Sequence, residues 1–484
     1  MRTLSCSLRR LPARIVFGFI CWLSLVSAGT SRVAEAAAWE SVRIGDVPHV
    51  RQKPDFCGEA CAEMYLRKLR VPIDQDGVFD RSGLDPVLGR GCYTRELVRA
   101  LRAIGFNTGR VWSQIPASSA TKLNEAFTAL HADLVAGVPS IVCMRYDERP
   151  APTEHFRLVL GYDSDNDEVL FHDPAVADGA YQRIARSLFL KLWPLKYDDQ
   201  EWTLVRLRLE VTQAIGRATP GKSRNGEYAQ HIRKVRSKLP QGNFTIVLER
   251  PFVVIGDEET ETVKRHARDT VKWAVDRLKQ DYFERNPSEI IDVWLFQDAT
   301  SYEENAKKLF GGQPSTPYGY YSARHRALVM NIATGGGTLV HEIVHPFMAA
   351  NFPECPAWFN EGLASLYEAS GEKEGHIVGL TNWRLPALQR ALRKGTVPPF
   401  KTLCETTTHE FYEKDRGTNY AQARYLCYYL QEQGLLIKFF RAFKKNAASD
   451  PSGYETLKSV LGDDGMAKFQ ERWQTFVLQL TFDG

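Results

Sequence analysis

Two consecutive α+β units are the fold that the sequence predicts, on three observations. The chain has 484 residues, too many for one hydrophobic core, so two domains, or three, are expected. Its composition is 44% hydrophobic and 25% charged, that of compact units with no long tract too polar to fold. Helical and strand periodicities alternate through residues 44–209, and helical periodicity dominates from residue 338 onward. The expected boundaries are a signal segment at 1–38, a first domain at 39–212, a linker at 213–243 and a second domain at 244–484.

The signal segment comes first. Arg9, Arg10 and Arg14 precede an apolar run over 15–26, and small residues follow, which is the order of an export signal. Cleavage after Val26-Ser27-Ala28 or within 34–38 fits the small-residue rule. The alternative, an uncleaved anchor, is disfavoured because the run is short for a bilayer span. No later segment is long and apolar enough to span, so the mature chain is expected outside the cytoplasm without stable membrane insertion.

Of 62 basic and 58 acidic residues, the signal segment holds five arginines and Glu35, leaving 57 of each. A neutral mature chain offers no electrostatic reason to expect nucleic acid or an anionic membrane as partner. Export leaves seven cysteines, Cys57, Cys61, Cys92, Cys143, Cys355, Cys404 and Cys427. An odd number in an oxidising compartment implies at least one thiol outside any disulfide. The other six either pair or stay buried and unpaired.

Helices are expected from residue 57, over 94–104 and over 120–136. Strands follow at 140–146, 156–162, 168–172 and 202–211. The stretch 216–226, rich in Gly, Lys, Arg and Ser, is the best linker. The second unit should begin with strands at 245–249 and 252–255, a long helix at 259–281 and strands at 290–297 and 327–332.

The first unit carries residues for thiol chemistry. Q-K-P-D-F-C-G-E-A-C at 52–61 puts Cys57 at a helix start, where the N-terminus favours a thiolate. Gln52 can place its amide beside the Cys57 N–H as an oxyanion site. His155 opens a strand, and Asp173 follows a neighbouring strand; an antiparallel pair joined by 163–167 would let Asp173 orient the imidazole. The competing reading for Cys57 is a buried or disulfide-bonded cysteine, with Cys61 one turn away. His131 and His172 are assigned no role.

These residues resemble the papain-like cysteine peptidases that process double-glycine leader peptides. The resemblance rests on Gln52, Cys57-Gly58, the stretch from Gly91 to Leu97, His155 to Val159 and Asp173-Pro174, within about 170 residues. It implies Cys57 as nucleophile, His155 as base, Asp173 as its orienter and Gln52 as oxyanion donor.

The second unit carries H-E-I-V-H at 341–345. Four residues apart on a helix, His341 and His345 project from one face and can share one ion, with Glu342 beside them as general base. Glu361, on a second helix beginning near Pro356, is the candidate third ligand. Two histidines and a carboxylate with one open position is the expected geometry of hydrolytic Zn2+. Pro346 cannot donate to the helix ladder and crowds the Glu342 carbonyl, so the helix is expected to kink or end there. Surface histidines on an amphipathic helix are the competing reading of the short motif.

H-E-I-V-H together with P-A-W-F-N-E-G-L-A-S-L-Y-E at 356–368 and N-Y-A-Q-A-R-Y at 419–425 resembles the gluzincin metallopeptidases of the peptidase MA-like family, over roughly 244–480. The resemblance implies Zn2+ on His341, His345 and Glu361, Glu342 as base, and Tyr420 as a transition-state donor, with an ordinary core or surface tyrosine as the alternative. Strand 326–331 is the expected edge for an extended substrate. Together the two resemblances imply an exported, periplasmic or secreted bacterial peptidase acting on peptides or proteins. Two rival readings stand: a metallopeptidase whose first domain only binds or regulates peptides, and a non-catalytic peptide-binding scaffold.

Overall fold

The computed structural model describes residues 39–215, 223–314, 316–414, 417–462 and 465–482. The expected signal segment and most of the expected linker core lie outside the described residues. Among the described residues no helix is long and apolar enough to cross a membrane.

The first unit begins with β1 (Val42–Arg43), α1 (Cys57–Lys68), α2 (Gln75–Phe79), α3 (Thr94–Ile104), β2 (Phe106–Asn107), β3 (Trp112–Pro116) and α4 (Ala120–Val135). It continues with β4 (Ser140–Arg145), β5 (Glu154–Asp163), β6 (Glu168–His172), β7 (Gln182–Ala185), α5 (Arg186–Leu192), β8 (Glu201–Arg208) and β9 (Glu210–Val211). A seven-stranded sheet runs β3-β8-β4-β5-β6-β7, with β1 added against β5. All its pairings are antiparallel. α1 is buried from Gly58 to Leu66, because helices and sheet cover it on all sides. At Gly58 a Cβ would stand 2.6 Å from Leu97 Cδ2, so the missing side chain lets α1 and α3 close on each other.

α6 (Asn225–Arg236) follows, then β10 (Thr245–Glu249), β11 (Phe252–Gly256), α7 (Thr260–His266), α8 (Trp273–Asp281), β12 (Ile291–Phe296), α9 (Ala299–Phe310), β13 (Gly319–Ser322) and β14 (Ala327–Asn331). The expected long helix over 259–281 is α7 and α8 joined through one π-helical segment, Ala267–Lys272. The sheet order is β10-β11-β12-β14-β13, with β11, β12 and β14 parallel. β14 therefore lies inside the sheet, and β13 ends it. The expected edge at 326–331 is not an edge, because the four-residue strand 319–322 pairs antiparallel along it, opposite β12.

The remainder is mostly helical: α10 (Gly337–Asn351), α11 (Ala357–Leu366), the hairpin β15 (Ser370–Lys373) and β16 (His376–Gly379), α12 (Leu385–Arg393), α13 (Phe400–Cys404), α14 (Thr408–Glu413), α15 (Thr418–Glu432), α16 (Leu436–Asn446), α17 (Tyr454–Leu461) and α18 (Met466–Gln479). α10 runs through Pro346 to Asn351, so of the two expected outcomes, a kink or an end at the proline, the helix does not end there. Packing of Phe347 and Met348 into the core holds the turn beyond it.

The second sheet alternates in the manner of a strand buried on both faces. Phe252, Val254, Val293, Leu295, Leu328 and Met330 join the large core with α8 and α10. Val253, Ile255, Trp294, Phe296 and Val329 face the other way, where Tyr228, Ile232 and Val235 of α6 cover them. Ala229 of the same helix belongs to the core of the first unit. Residues 225–236 are thus a structural helix shared by both units, although the expected linker spanned them; their apolar spacing was masked by seven charged or strongly polar neighbours in the same twelve residues. Ile232→Ala should lower stability by about 3 kcal/mol, as truncation of a fully buried aliphatic residue does. Urea denaturation checks it, and a loss under about 0.5 kcal/mol would return this helix to the linker.

Candidate active sites

The thiol constellation assembles from α1, β5 and the end of β6. Cys57 is the first residue of α1. β5 and β6 pair so that Leu158 faces His172, and Asp173 emerges at the strand end beside the first residues of β5. The result is a 2.8 Å bond between His155 Nε2 and Asp173 Oδ1. A carboxylate only accepts, so Nε2 carries the hydrogen and Nδ1 is left for a thiol. Cys57, His155 and Gln52 line one cavity of about 900 Å³. Gln52 is anchored by its N–H to Pro174 O at 2.9 Å, and its Oε1 is buried without a hydrogen-bond partner among the described residues.

Arg157, two residues beyond His155 and on the same side of β5, was not foreseen. Its Nε donates to Asp173 Oδ2 at 2.9 Å and its Nη2 to Tyr146 O at 3.1 Å. The Ala175 N–H adds a 2.9 Å bond to Oδ1. Burial alone would raise the Asp173 carboxyl, but His155 and Arg157 outweigh it and hold it well below the ordinary carboxylate range. The Tyr146 ring meets the His155 ring edge-on at 5.2 Å. The period-two spacing of 155 and 157 was the available signal.

Cys57 stands first in α1, as the sequence predicts. Burial pushes Cys57 up to about 11, opposed by the Phe156 backbone and reinforced by Glu59. Glu59 is fully buried, raised to about 7 by that burial, and accepts the Cys92 N–H at 2.7 Å. All seven described cysteines are free. Cys61 is buried with its Sγ directed at Phe156 O, 3.6 Å away, so it is not a disulfide partner of Cys57. His172 and His131 are structural: each bonds a backbone carbonyl, of Val47 and of Glu40.

Residues 44–198 match the Peptidase_C39 like family. The match lies within the first unit, which is thus similar to C39-like peptidases, and leaves the second unit outside it. No curated protein matches the chain. Among solved structures, the peptidase domain of Streptococcus ComA, a bifunctional ABC transporter of a quorum-sensing pathway, is 17% identical, with 34% of this chain and 99% of that one covered and a TM-score of 0.24. EndoMS in its apo form is 10% identical, with 43% of this chain and all of that one covered and a TM-score of 0.09. Similarities this low carry no functional argument.

The second constellation lies on α10 and α11, beyond the matched segment. His341 and His345 have ring centroids 4.9 Å apart. Glu361 Oε2 lies 3.4 Å from His341 Nε2, and Oε1 lies 3.8 Å from His345 Nε2. Ligand atoms of the three residues all fall within 4.8 Å of one another. Tetrahedral zinc with bonds of about 2.1 Å separates its ligands by about 3.4 Å, so the donor set fits the ion. Glu361 Oε2 is buried with no hydrogen-bond partner among the described residues, an acceptor left for a cation.

The surroundings orient these groups. Asn360 Oδ1 accepts from His345 Nδ1 at 3.0 Å, and Glu368 Oε1 faces His341 Nδ1 at 3.3 Å, leaving both Nε2 atoms for an ion. Arg384 holds Glu368 at 2.7 Å. Burial disfavours a charged His341, yet Glu361 and Glu368 overcome it and push it up to about 10. Tyr412 donates to Glu361 Oε1 at 2.6 Å. Tyr420, the tyrosine singled out from sequence, has its ring 6.2 Å from that of Tyr412 and lies under the Arg384 guanidinium at 5.1 Å. Tyr412, Glu368, Asn360 and Arg384 were missed, since only the adjacency of Asn360 to Glu361 was visible in the chain.

Asp173 has a folded value below its unfolded value of about 3.9, so its stabilisation is complete above that pH and is lost as pH falls toward the folded value. Asp173→Asn should therefore cost roughly 3 kcal/mol at neutral pH, by leaving buried Arg157 unpaired, and less near pH 3. Urea midpoints of the two proteins at both pH values check the sign.

Proposed function

We propose that this chain is an exported peptidase that cleaves peptide bonds at Cys57 and carries a second, zinc-dependent peptidase site in its C-terminal unit. The observation that supports the first site most is the buried Asp173–His155 bond opening onto the cavity of Cys57 and Gln52, inside the segment that matches the C39-like family. His155 Nδ1 takes the thiol proton as sulfur attacks the peptide carbonyl. The Cys57 N–H and the Gln52 amide receive the developing oxyanion, and His155 returns its proton to the leaving amine. Water, deprotonated by His155, then resolves the acyl-enzyme.

In the second site His341 Nε2, His345 Nε2 and Glu361 would hold Zn2+. Bound there, zinc would supply Lewis acidity, polarising a peptide carbonyl and making water easier to deprotonate. Glu342 takes that proton and passes it to the leaving amine. Tyr412 fixes Glu361, and Tyr420 is a donor to the developing oxyanion. Peptides or proteins are the partners of both sites, and a periplasmic or secreted bacterial setting is part of the proposal.

Casein digestion by wild type, Cys57→Ala and Glu342→Gln separates the two sites. Cys57→Ala should abolish the iodoacetamide-sensitive fraction, and Gln52→Ala should lower it by about 10²-fold. Glu342→Gln should abolish the chelator-sensitive fraction. If only Glu342→Gln reduces digestion, the first domain binds peptides without cutting them; if neither does, the peptidase reading is wrong.

Metal analysis tests the second site independently. The purified chain should hold about one zinc, retained by Glu342→Gln and lost by Glu361→Ala. Absence of zinc from wild type refolded with zinc would remove the metal site.

A further inference from the structure

Gln52 and Cys57 bracket a short turn whose conformation is set by groups outside it. On one flank the Lys53 N–H donates to Gln75 Oε1 at 2.7 Å, and Gln75 Nε2 donates to Arg51 O at 3.1 Å. On the other flank α6 reaches in from beyond residue 198. Arg233 donates to both carboxylate oxygens of Asp55, at 2.8 and 3.0 Å, and Gln230 Nε2 donates to Pro54 O at 2.9 Å.

Asp55 has φ +63°, a left-handed conformation that a non-glycine residue keeps when its surroundings hold it. Its carbonyl is so close to Gly91 that a Cβ there would stand 1.9 Å from the oxygen. Asp55 also lines the cavity that holds Gln52, Cys57 and His155. The Asp55 and Arg233 side chains remain 49% and 38% exposed, so their pairing adds little to global stability. A two-bond fork nonetheless fixes direction.

We propose that Arg233 and Gln230 are positioning residues for the thiol site, holding the Pro54-Asp55 peptide so that the Cys57 N–H and the Gln52 amide converge on the oxyanion. α6 is seated on the sheet of the second unit through Tyr228, Ile232 and Val235. Hydrolysis at Cys57 consequently depends on the second unit being docked. This inference rests on the peptidase reading of Cys57.

Two probes of the full-length protein separate positioning from a general structural role. Iodoacetamide alkylates the thiol by displacement: the S–C bond forms, iodide leaves, the thiol proton goes to base, and no oxyanion develops. The aldehyde acetyl-leucyl-leucyl-argininal adds the sulfur to its carbonyl carbon; the carbonyl π pair moves to oxygen, which takes the thiol proton and occupies the oxyanion position. Arg233→Ala should weaken aldehyde binding by about tenfold, and Gln230→Ala with Arg233→Ala by more. The alkylation rate of Cys57, followed by mass spectrometry, should stay within about twofold, because displacement needs no oxyanion donor. Unchanged aldehyde affinity in Arg233→Ala overturns the proposal, as does an equal fall with both probes, which would mark a purely structural contact. If wild type and Cys57→Ala respond alike to both probes, the peptidase reading fails first and takes this inference with it.

Discussion

The burial of α6 on two sides at once is the constraint on which the arrangement of this chain depends. Tyr228, Ile232 and Val235 close one face of the second sheet, while Ala229 enters the first core. A sheet with three parallel strands needs cover on both faces, and the large core supplies only one of them. α6 shares that face with Tyr302 and Ala306 of α9, and together they cover Val253, Ile255, Trp294 and Phe296. The first unit contributes to the same junction: the Gly226 N–H donates to Asp80 at 2.9 Å, and Arg236 donates to Val87 O at 3.1 Å. The boundary between the units is therefore a packed seam rather than a tether.

Within the first unit, opposing electrostatic effects are settled by position. Cys57, Glu59 and Asp173 all lose solvent on folding, and burial alone raises all three. Only Asp173 has two cationic or proton-donating partners within bonding distance, and only Asp173 ends below its ordinary range. Cys57 and Glu59 have backbone donors alone as their main compensation, and burial prevails. Burial thus decides at Cys57 and Glu59, and the paired donors decide at Asp173.

The second constellation follows a different logic. Carboxylates crowd the two imidazoles from α11 and from the turn after it: Glu361 stands beside both Nε2 atoms, Glu368 Oε1 lies 3.3 Å from His341 Nδ1, and Asn360 accepts from His345 Nδ1. Close contact between α11 and α15 fixes Glu361: at Gly362 a Cβ would lie 3.1 Å from Ala423 O. Arg424, fully buried, donates to the carbonyls of Ser365 and Leu366 and so satisfies the end of α11. Tyr412, from a short separate helix, completes the hold on the carboxylate.

The order of the chemistry was legible in the chain because it is carried by local spacing. A cysteine at a helix start, histidines four apart, and a strand-opening histidine with an aspartate one hairpin later each follow from helical or strand period, and both groupings come together in space. The mixed α and β architecture followed likewise from periodicity. What the sequence could not determine was which distant groups answer them: Arg157 on Asp173, Tyr412 on Glu361, Glu368 on His341, and Arg233 on Asp55. Those partners depend on sheet register and helix packing, which are set by whole cores and not by neighbours in the chain. For the same reason only the tertiary structure decided that β13 and not β14 ends the second sheet, that α10 passes through Pro346, and that residues 225–236 are a buried helix.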